Sequence, residues 1–545
     1  IRDRYMTDKP FDRKKSYGLA VLSGILLLLS FPPFNLGSFL AWIAFVPLLI
    51  AVWNEKNLKM IGRLTLITGL FLTPVWTWLY YELSFWFPPF SSWLGLLIAF
   101  AVGKGLYTEM IEKYWKPKHL PSKGLQYLPQ RLQIVILPIL FTASWFLLLN
   151  IPGIMKITGG LGFGSLAKTQ WLNPPILQLA SFTGMYGITF LILIVNCAIA
   201  YAIICYKENK RLCKQSIFVL LVFGLIFSLG FASIPEFSTG NVNSVIIQAP
   251  PEEGDIEDLY VDLSREATKY DPKVILWTGW MLEGPSIDLE QFSNLSTETN
   301  TYMMGVGGEE MGWIVASPDG KIGHSSWAYH YVNFVNEVIH SEWDKLLYPK
   351  IQVLDTEFGR VGPLICMESS STIPARQLAK DGAQFFTIFT GTIGFSFPGE
   401  IGGNAVYRAV EHRKPVILAC PEGSIVVDSY GRIVNDISTQ DIVAGKFSIS
   451  DETTFYSKYG NVFGWSIVGL AIVLVGYNFY LKRKSPFKYC QNCSAKLLKD
   501  AKFCSQCGKN PDKKEKGKAG KVHKYGEMAF VIITIIIILL LAGVL

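Results

Sequence analysis

Cys366 follows directly on the apolar run Val361-Gly362-Pro363-Leu364-Ile365, and the carboxylate of Glu368 lies two residues further on. A strand that ends in a thiol delivers a nucleophile to the rim of a sheet. A free thiol near pKa 8.5 is only a few per cent thiolate at neutral pH, so it needs a base or a positive neighbour. Glu368 is one candidate to orient or deprotonate Cys366. The reading we favour is a carboxylate tied to backbone amides at the strand end. Cys420 falls in the same domain as Cys366, and the two could pair. Cys197, Cys205 and Cys213 lie in or beside an apolar run and read as small apolar filler.

A second constellation lies near the C-terminal end. Cys490-Gln491-Asn492-Cys493 and Cys504-Ser505-Gln506-Cys507-Gly508 are two Cys-x-x-Cys knuckles, the pattern of a tetrahedral thiolate site for structural zinc. Ribbons of this kind more often bind a partner than catalyse.

The elements that must position Cys366 lie in residues 240–458. Strands are expected at Val242–Gln248, Lys273–Trp277, Trp313–Ser317, Gly359–Cys366, Ala383–Phe389 and Pro415–Ala419. Helices are expected at Asp255–Tyr270, Ile373–Asp381 and Asn404–Arg413, and a hairpin turns at Tyr430-Gly431. This alternation predicts one α/β sandwich domain with helices outside.

The rest of the chain is set by its hydropathy. Of 545 residues, 50% are hydrophobic and only 17% charged, and the mean hydropathy is +0.31. That is too apolar for a soluble protein of this size. A membrane helix needs about 20 apolar residues. Runs of this kind fall near 17–31, 36–53, 60–80, 91–108, 133–150, 176–205, 216–234, 462–481 and 528–545. The first reads as a retained span rather than a signal peptide. Basic clusters lie before the first run, in 112–131 and 207–214, and at Lys482-Arg483-Lys484. Alternating spans put all of them in the cytoplasm. The expected plan is a seven-span domain over 1–234, an extracytoplasmic α/β domain over 235–461 and an eighth span over 462–484. A cytoplasmic zinc ribbon over 488–510, a basic linker over 511–527 and a last span over 528–545 complete it. The net charge of +7 is mostly this topological signal, and nothing in it calls for nucleic acid.

Several stretches together carry a resemblance. They are Phe31-Pro32-Pro33-Phe34-Asn35-Leu36, Ala41-Trp42-Ile43-Ala44-Phe45-Val46-Pro47-Leu48, Gln170-Trp171, Gln178-Leu179-Ala180, Gly184-Met185-Tyr186-Gly187 and Asn196. Further on come Arg408-Ala409-Val410-Glu411, Arg413-Lys414-Pro415, Thr454-Phe455-Tyr456 and Tyr459-Gly460-Asn461. In this order, over about residues 17–481, the chain resembles the apolipoprotein N-acyltransferases, a membrane-embedded branch of the nitrilase (carbon–nitrogen hydrolase) superfamily. The resemblance implies a polytopic helical bundle carrying an extracytoplasmic αββα nitrilase-like domain. It implies transfer of an acyl chain from a phospholipid to the N-terminal amine of a lipoprotein. The cysteine would form a thioester, a glutamate would act as base, a lysine would stabilise the oxyanion, and no catalytic cofactor would be used.

Against that pattern the chemistry is eroded. Gly279, after Val274-Ile275-Leu276-Trp277, stands where the family has its base, and Glu283 is four residues later. Tyr331 stands where the family has its lysine; Lys345 and Lys350 are the only nearby replacements, and both read better as solvated or interfacial lysines. The family's polar run after the cysteine strand becomes Thr390-Gly391-Thr392-Ile393-Gly394-Phe395, and another becomes Leu418-Ala419-Cys420-Pro421-Glu422-Gly423. Framework residues such as Arg408 and Glu411 are kept. His324, His330 and His340 read as loop histidines. Losing base and lysine together should leave little acyl transfer. The expectation is a scaffold that has lost catalysis and binds membrane lipid, a lipoprotein or a partner subunit, with a cytoplasmic partner on the ribbon. The alternative is an active acyltransferase with Glu283 or Glu368 as a rearranged base. For the ribbon, the expected outcome is loss of zinc and of fold together on chelation, read by metal analysis and amide spectra of residues 488–510. A segment unchanged by chelation would refute the zinc reading.

Overall fold

Strand alternation decides the α/β part of the fold. The computed structural model describes residues 12–31, 38–53, 55, 58–71, 128–150, 165–210, 212–237, 240–248, 256–278, 288–307, 312–325, 352–390, 397–421, 423–435, 441–484, 487–489, 496–498, 501–505, 507, 508 and 510. The helices that come first in the chain are α1 (Arg13–Ser30), α2 (Val46–Val52), α3 (Leu58–Leu70), α4 (Leu128–Asn150), α5 (Pro174–Leu177), α6 (Ala180–Thr183), α7 (Met185–Asn209) and α8 (Lys214–Ala232). They lead into β1 (Val242–Ile247), α9 (Ile256–Ala267), β2 (Val274–Trp277), α10 (Leu289–Thr299), β3 (Tyr302–Gly307), β4 (Gly312–Ala316) and β5 (Ile322–Ser325). Next come β6 (Leu354–Thr356), β7 (Gly359–Ile365), α11 (Thr372–Lys380), β8 (Phe385–Phe389), α12 (Phe397–His412), β9 (Val416–Ala419), β10 (Ile425–Val427) and β11 (Ile442–Phe447). The chain continues with α13 (Phe455–Tyr459), α14 (Val462–Lys484), β12 (Phe487–Tyr489) and β13 (Lys496–Leu498).

One sheet has the order β11-β1-β2-β3-β4-β5 and the other β10-β9-β8-β7-β6. Side chains alternate across the first sheet as a two-residue period requires. Val245, Ile247, Ile275, Trp277 and Met303 pack with Tyr260, Val261, Phe292 and Leu295 of α9 and α10. Ile246, Val274, Leu276 and Met304 belong instead to the core shared with Phe385, Phe386 and Ile388 of the second sheet. Tyr302, Phe358, Phe385 and Phe447 form an aromatic row between the sheets, with ring centroids 5.4, 5.7 and 5.1 Å apart in sequence. Helices α11 and α12 cover the second sheet. The result is an α/β sandwich with two sheets inside and helices outside.

The helical part is tied together by buried amides. Asn196 of α7 donates to the carbonyl oxygens of Ala41 at 2.9 Å and Ile192 at 2.8 Å, and its Oδ1 accepts the Phe45 N–H at 2.9 Å. Gln170 donates to Ser38 O at 2.6 Å and accepts from Trp42 Nε1 at 3.1 Å. The amide groups of Asn196 and Gln170 are matched in this way, which offsets the cost of removing them from water. Met185–Lys207 and Lys214–Ala232 are long and apolar enough to cross a membrane, and 40–52, 132–147 and 462–477 are shorter apolar helices. Helix α8 exposes Phe218, Leu221, Leu225, Leu229 and Phe231, as a helix facing lipid tails does. The apolar runs at 91–108 and 528–545, and the linker at 511–527, lie outside the described residues.

Several elements differ from the sequence expectation. Strand β7 ends at Ile365, and Cys366 opens a 3-10 turn over Cys366–Ser370. Helix α12 begins seven residues before Asn404, at Phe397, and stops at His412 because Arg413 turns left-handed at φ +54°. Strands β3, β5, β6 and β11 and helix α10 had no expectation. Helix α10 is polar along much of its length and starts on an Asp288 cap that accepts from Glu290 N–H at 2.9 Å.

Candidate functional site

Three parallel strands end side by side on the second sheet. Ile365 of β7 is in register with Phe389 of β8, and Phe389 with Ala419 of β9. The next residues, Cys366, Thr390 and Cys420, therefore form a row along one rim. Cys366 and Cys420 are separated by a whole strand, about 10 Å. A disulfide needs Cα atoms within about 7 Å, so the pairing that the sequence left open does not occur. The Cys420 side chain is buried and not in a disulfide.

Glu368 turns back onto the strand it follows. Its Oε2 accepts the Ile365 N–H at 2.7 Å, and the side chain is buried. Strand β6 pairs with β7 only as far as Val361, so among the described residues no strand pairs with β7 at Ile365 on that side. The carboxylate caps that amide at the strand end.

The turn that Cys366 opens is clasped from behind by α12. Asn404 Nδ2 donates to Ser370 Oγ at 2.8 Å, and Arg408 Nη1 donates to Ser371 O at 3.1 Å. Arg408 Nη2 also lies 2.8 Å from Glu411 Oε2, with both side chains essentially inaccessible to solvent. Glu411 Oε1 accepts the Met185 N–H at 3.2 Å, the first amide of α7, where a helix leaves donors unpaired and its dipole favours negative charge. Burial pushes the Glu411 carboxyl up to about 7, with Arg408 and the Met185 amide working against that rise. Burial also holds His412 well below the ordinary imidazole range, and its Nδ1 lies 2.8 Å from Ser457 Oγ. Tyr407 donates to Ala167 O at 2.5 Å, and Gln178 Nε2 donates to Tyr430 O at 2.9 Å. Gly184 precedes α7 at φ +61°, and a Cβ there would stand 2.6 Å from the Tyr456 ring.

The other sheet brings its own strand ends to this rim. Gln248, one residue past β1, accepts the Ser424 N–H at 2.9 Å, and Ser424 Oγ closes the turn after β9 by donating to Cys420 O at 3.0 Å. Thr278, one residue past β2, donates its N–H to Ile247 O at 3.1 Å, and its hydroxyl lies 2.7 Å from Tyr260 OH. Gly279, Glu283, His330, Tyr331, His340, Lys345, Lys350 and 391–396 lie outside the described residues, and His324 is described only as part of β5.

With this geometry in place, similarity becomes informative. A family model described as the apolipoprotein N-acyltransferase N-terminal domain matches residues 23–198. The apolipoprotein N-acyltransferase of Geobacter metallireducens is 28% identical over 529 residues, 87% of this chain and 96% of that one. The protein of the same name from Thermotoga maritima is 25% identical over 499 residues, 84% of this chain and 92% of that one. This chain is a relative of the apolipoprotein N-acyltransferases. Among solved structures it is similar to an amidase from Nesterenkonia sp., at 16% identity and TM-score 0.33, over 41% of this chain and 94% of that one. It is also similar to a carbon-nitrogen hydrolase from Helicobacter pylori, at 13% identity and TM-score 0.31, over 45% and 94% of the two chains.

The sequence stretches shared with this family now have a physical role. Trp42, Gln170, Asn196, Met185, Arg408 and Glu411 are joints of the framework that holds the helices to one another and to the α/β domain. Asn404 and the Ser369–Ser371 turn were missed. Their signal was a polar stripe at Asn404, Arg408 and Glu411, one face of an otherwise apolar helix.

A zinc-ribbon domain model matches residues 489–510. Strands β12 and β13 pair as a hairpin, and the second knuckle turns on Gly508 at φ +69°, whose N–H donates to Cys504 O at 2.8 Å. Cys504 is buried against Leu497 with Cys507 beside it. Two neighbouring thiols on a tight turn fit half of a tetrathiolate zinc site; Cys490 and Cys493 lie outside the described residues. Among the described residues, no group of three metal-ligating side chains occurs.

The clasp makes a stability prediction. Arg408→Ala leaves Glu411 buried without its cation and should cost about 3–5 kcal/mol. A double variant, Arg408→Met with Glu411→Leu, should recover much of that loss, because it also removes the desolvation penalty. Thermal unfolding in detergent reads both; equal losses would contradict the buried-pair account.

Proposed function

We propose that this protein is a membrane-embedded relative of the N-acyltransferases whose α/β domain has lost acyl transfer and holds a lipid, a lipoprotein or a partner subunit. The observation that carries this is the Glu368 hydrogen bond. The carboxylate two residues from Cys366 is directed to the Ile365 amide at 2.7 Å, where it completes the strand end. Gly279 and Tyr331, at the sequence positions of the family's base and lysine, bring neither a proton acceptor nor a charge. Loss of one oxyanion donor alone costs about 10²–10³ in rate. On this reading Cys366 keeps its place in the fold while the sequence positions of the family's base and lysine supply neither group.

The same reading puts the α/β domain outside the membrane and the zinc ribbon in the cytoplasm, because the basic clusters alternate with the apolar runs. The ribbon's thiols suit structural zinc and a docking role there.

The test uses the full chain in phospholipid vesicles with a diacylglyceryl lipopeptide. Intact mass should show Cys366 unmodified and the lipopeptide amine free. The lipopeptide should still co-sediment with protein-bearing vesicles, equally for Cys366→Ser. A hydroxylamine-sensitive acyl adduct on Cys366 would overturn the proposal and establish an active acyltransferase.

A further inference from the structure

The end of α4 and the starts of α7 and α14 meet at one level, where a chain of polar side chains joins them. Asn150, the last residue of α4, donates to Tyr186 OH of α7 at 2.7 Å. Its Oδ1 accepts from Nδ2 of Asn461, one residue before α14, at 3.1 Å, and Asn461 Oδ1 accepts from Tyr456 OH at 2.7 Å. Helix ends that border lipid need such partners, because hydrocarbon offers none. Helix α8 returns to the same level, where Gly230 packs on the Pro175 carbonyl of α5.

Four aromatic side chains stand in the open here. Phe182 of α6, Phe455 and Tyr459 of α13 and Trp465 in the first turn of α14 are 61%, 43%, 59% and 54% exposed. The Phe182 and Phe455 rings stack with centroids 6.2 Å apart, and Phe455 meets Tyr459 at 4.7 Å. Trp465 packs edge-on against Phe146 at 5.1 Å, and Phe146 edge-on against Tyr186 at 4.8 Å, which ties it to the polar chain. A contiguous exposed apolar patch marks a contact surface. Its continuation says what covers it. Val462, Trp465, Ile472 and Val473 are all exposed and share one face of α14 by their spacing, and the helix carries no charged residue before Lys482. A protein seated on the patch would leave that stripe bare, whereas a bilayer covers both. Aromatic rings settle where hydrocarbon gives way to headgroups.

Helix α13 is also fastened to the α/β domain. Arg376 of α11 donates to Ser457 O at 3.1 Å and to Lys458 O at 2.8 Å, and Ser457 Oγ lies 2.8 Å from His412 Nδ1 of α12. Only Ser371 separates α11 from the turn that Cys366 opens. We propose that Phe182, Phe455, Tyr459 and Trp465 form a lipid-surface contact. They enter the boundary between headgroups and acyl chains in the leaflet beneath the α/β domain, with α13 as the foot. Because Arg376 ties that foot to α11, its depth in lipid also sets how far the Cys366 turn stands from the bilayer. This contact rests on the membrane-embedded reading given above, with α7, α8 and α14 as spans.

The experiment places the full chain in phosphatidylcholine vesicles that contain one of two photoactivatable phosphatidylcholines. One carries a diazirine next to the glycerol, the other at the end of an acyl chain. After illumination, adducts are located by digestion and mass spectrometry. The glycerol-side probe should mark Phe182 and residues 455–465 about threefold or more above the chain-end probe. The chain-end probe should instead favour 218–225 of α8 and 472–473 of α14. Marked helices with an unmarked patch would overturn the proposal and leave the spans in place; a dimer in the same preparation would then assign the patch to a second copy. Absence of adducts on both helices with either probe would remove the spans and the lipid contact together.

Discussion

The Glu411 carboxyl is where the two halves of this protein meet. One oxygen receives the first amide of α7, and the other faces Arg408 at 2.8 Å. Arg408 continues to Ser371 O, and Asn404 one turn earlier reaches Ser370. A single helix face thus connects the start of a long apolar helix to the turn that Cys366 opens. The pair is buried on both sides, so neither partner can be lost without stranding the other. Tyr407, Gln178 and Gly184 add close contacts around it that leave little freedom to slide.

This constraint sets a shape that rests on packing and buried pairing. The row Cys366, Thr390, Cys420 is set by the register of β7, β8 and β9, which depends on apolar packing and not on reactivity. Glu368 belongs to the same logic, since its carboxylate finishes the edge of β7. Groups that hold the backbone are tied to many neighbours.

Much of this was legible in the sequence, for reasons that vary by element. Strands β1, β2, β7, β8 and β9 are short apolar runs that end in polar or turn residues, and periodicity finds them. The apolar runs at 176–205 and 216–234 stand out by length, and they became α7 and α8. Helix α10 is held by its cap and by one face, Phe292 and Leu295, too few apolar positions for a clear pattern. Strand β3 contains Met303-Met304-Gly305, residues with weak strand preference that are ordered by their neighbours. Cys366 was placed one residue inside its strand because nothing local marks the switch to a 3-10 turn. Arg408 and Glu411 were visible as shared framework residues, but their role was not. Met185 lies 226 residues from Glu411 in sequence, and only the folded chain brings them together.

Amide hydrogen exchange tests the central claim most directly. Glu411→Gln keeps the volume and a hydrogen-bonding side chain but removes the charge that Arg408 and the helix start share. If α7 and the cysteine turn are coupled through this pair, exchange should quicken by about tenfold or more both at Met185–Ile188 and at Ile365–Ser371, with the β8 amides unchanged. Faster exchange at Met185 alone, with Ile365–Ser371 as protected as before, would contradict the account.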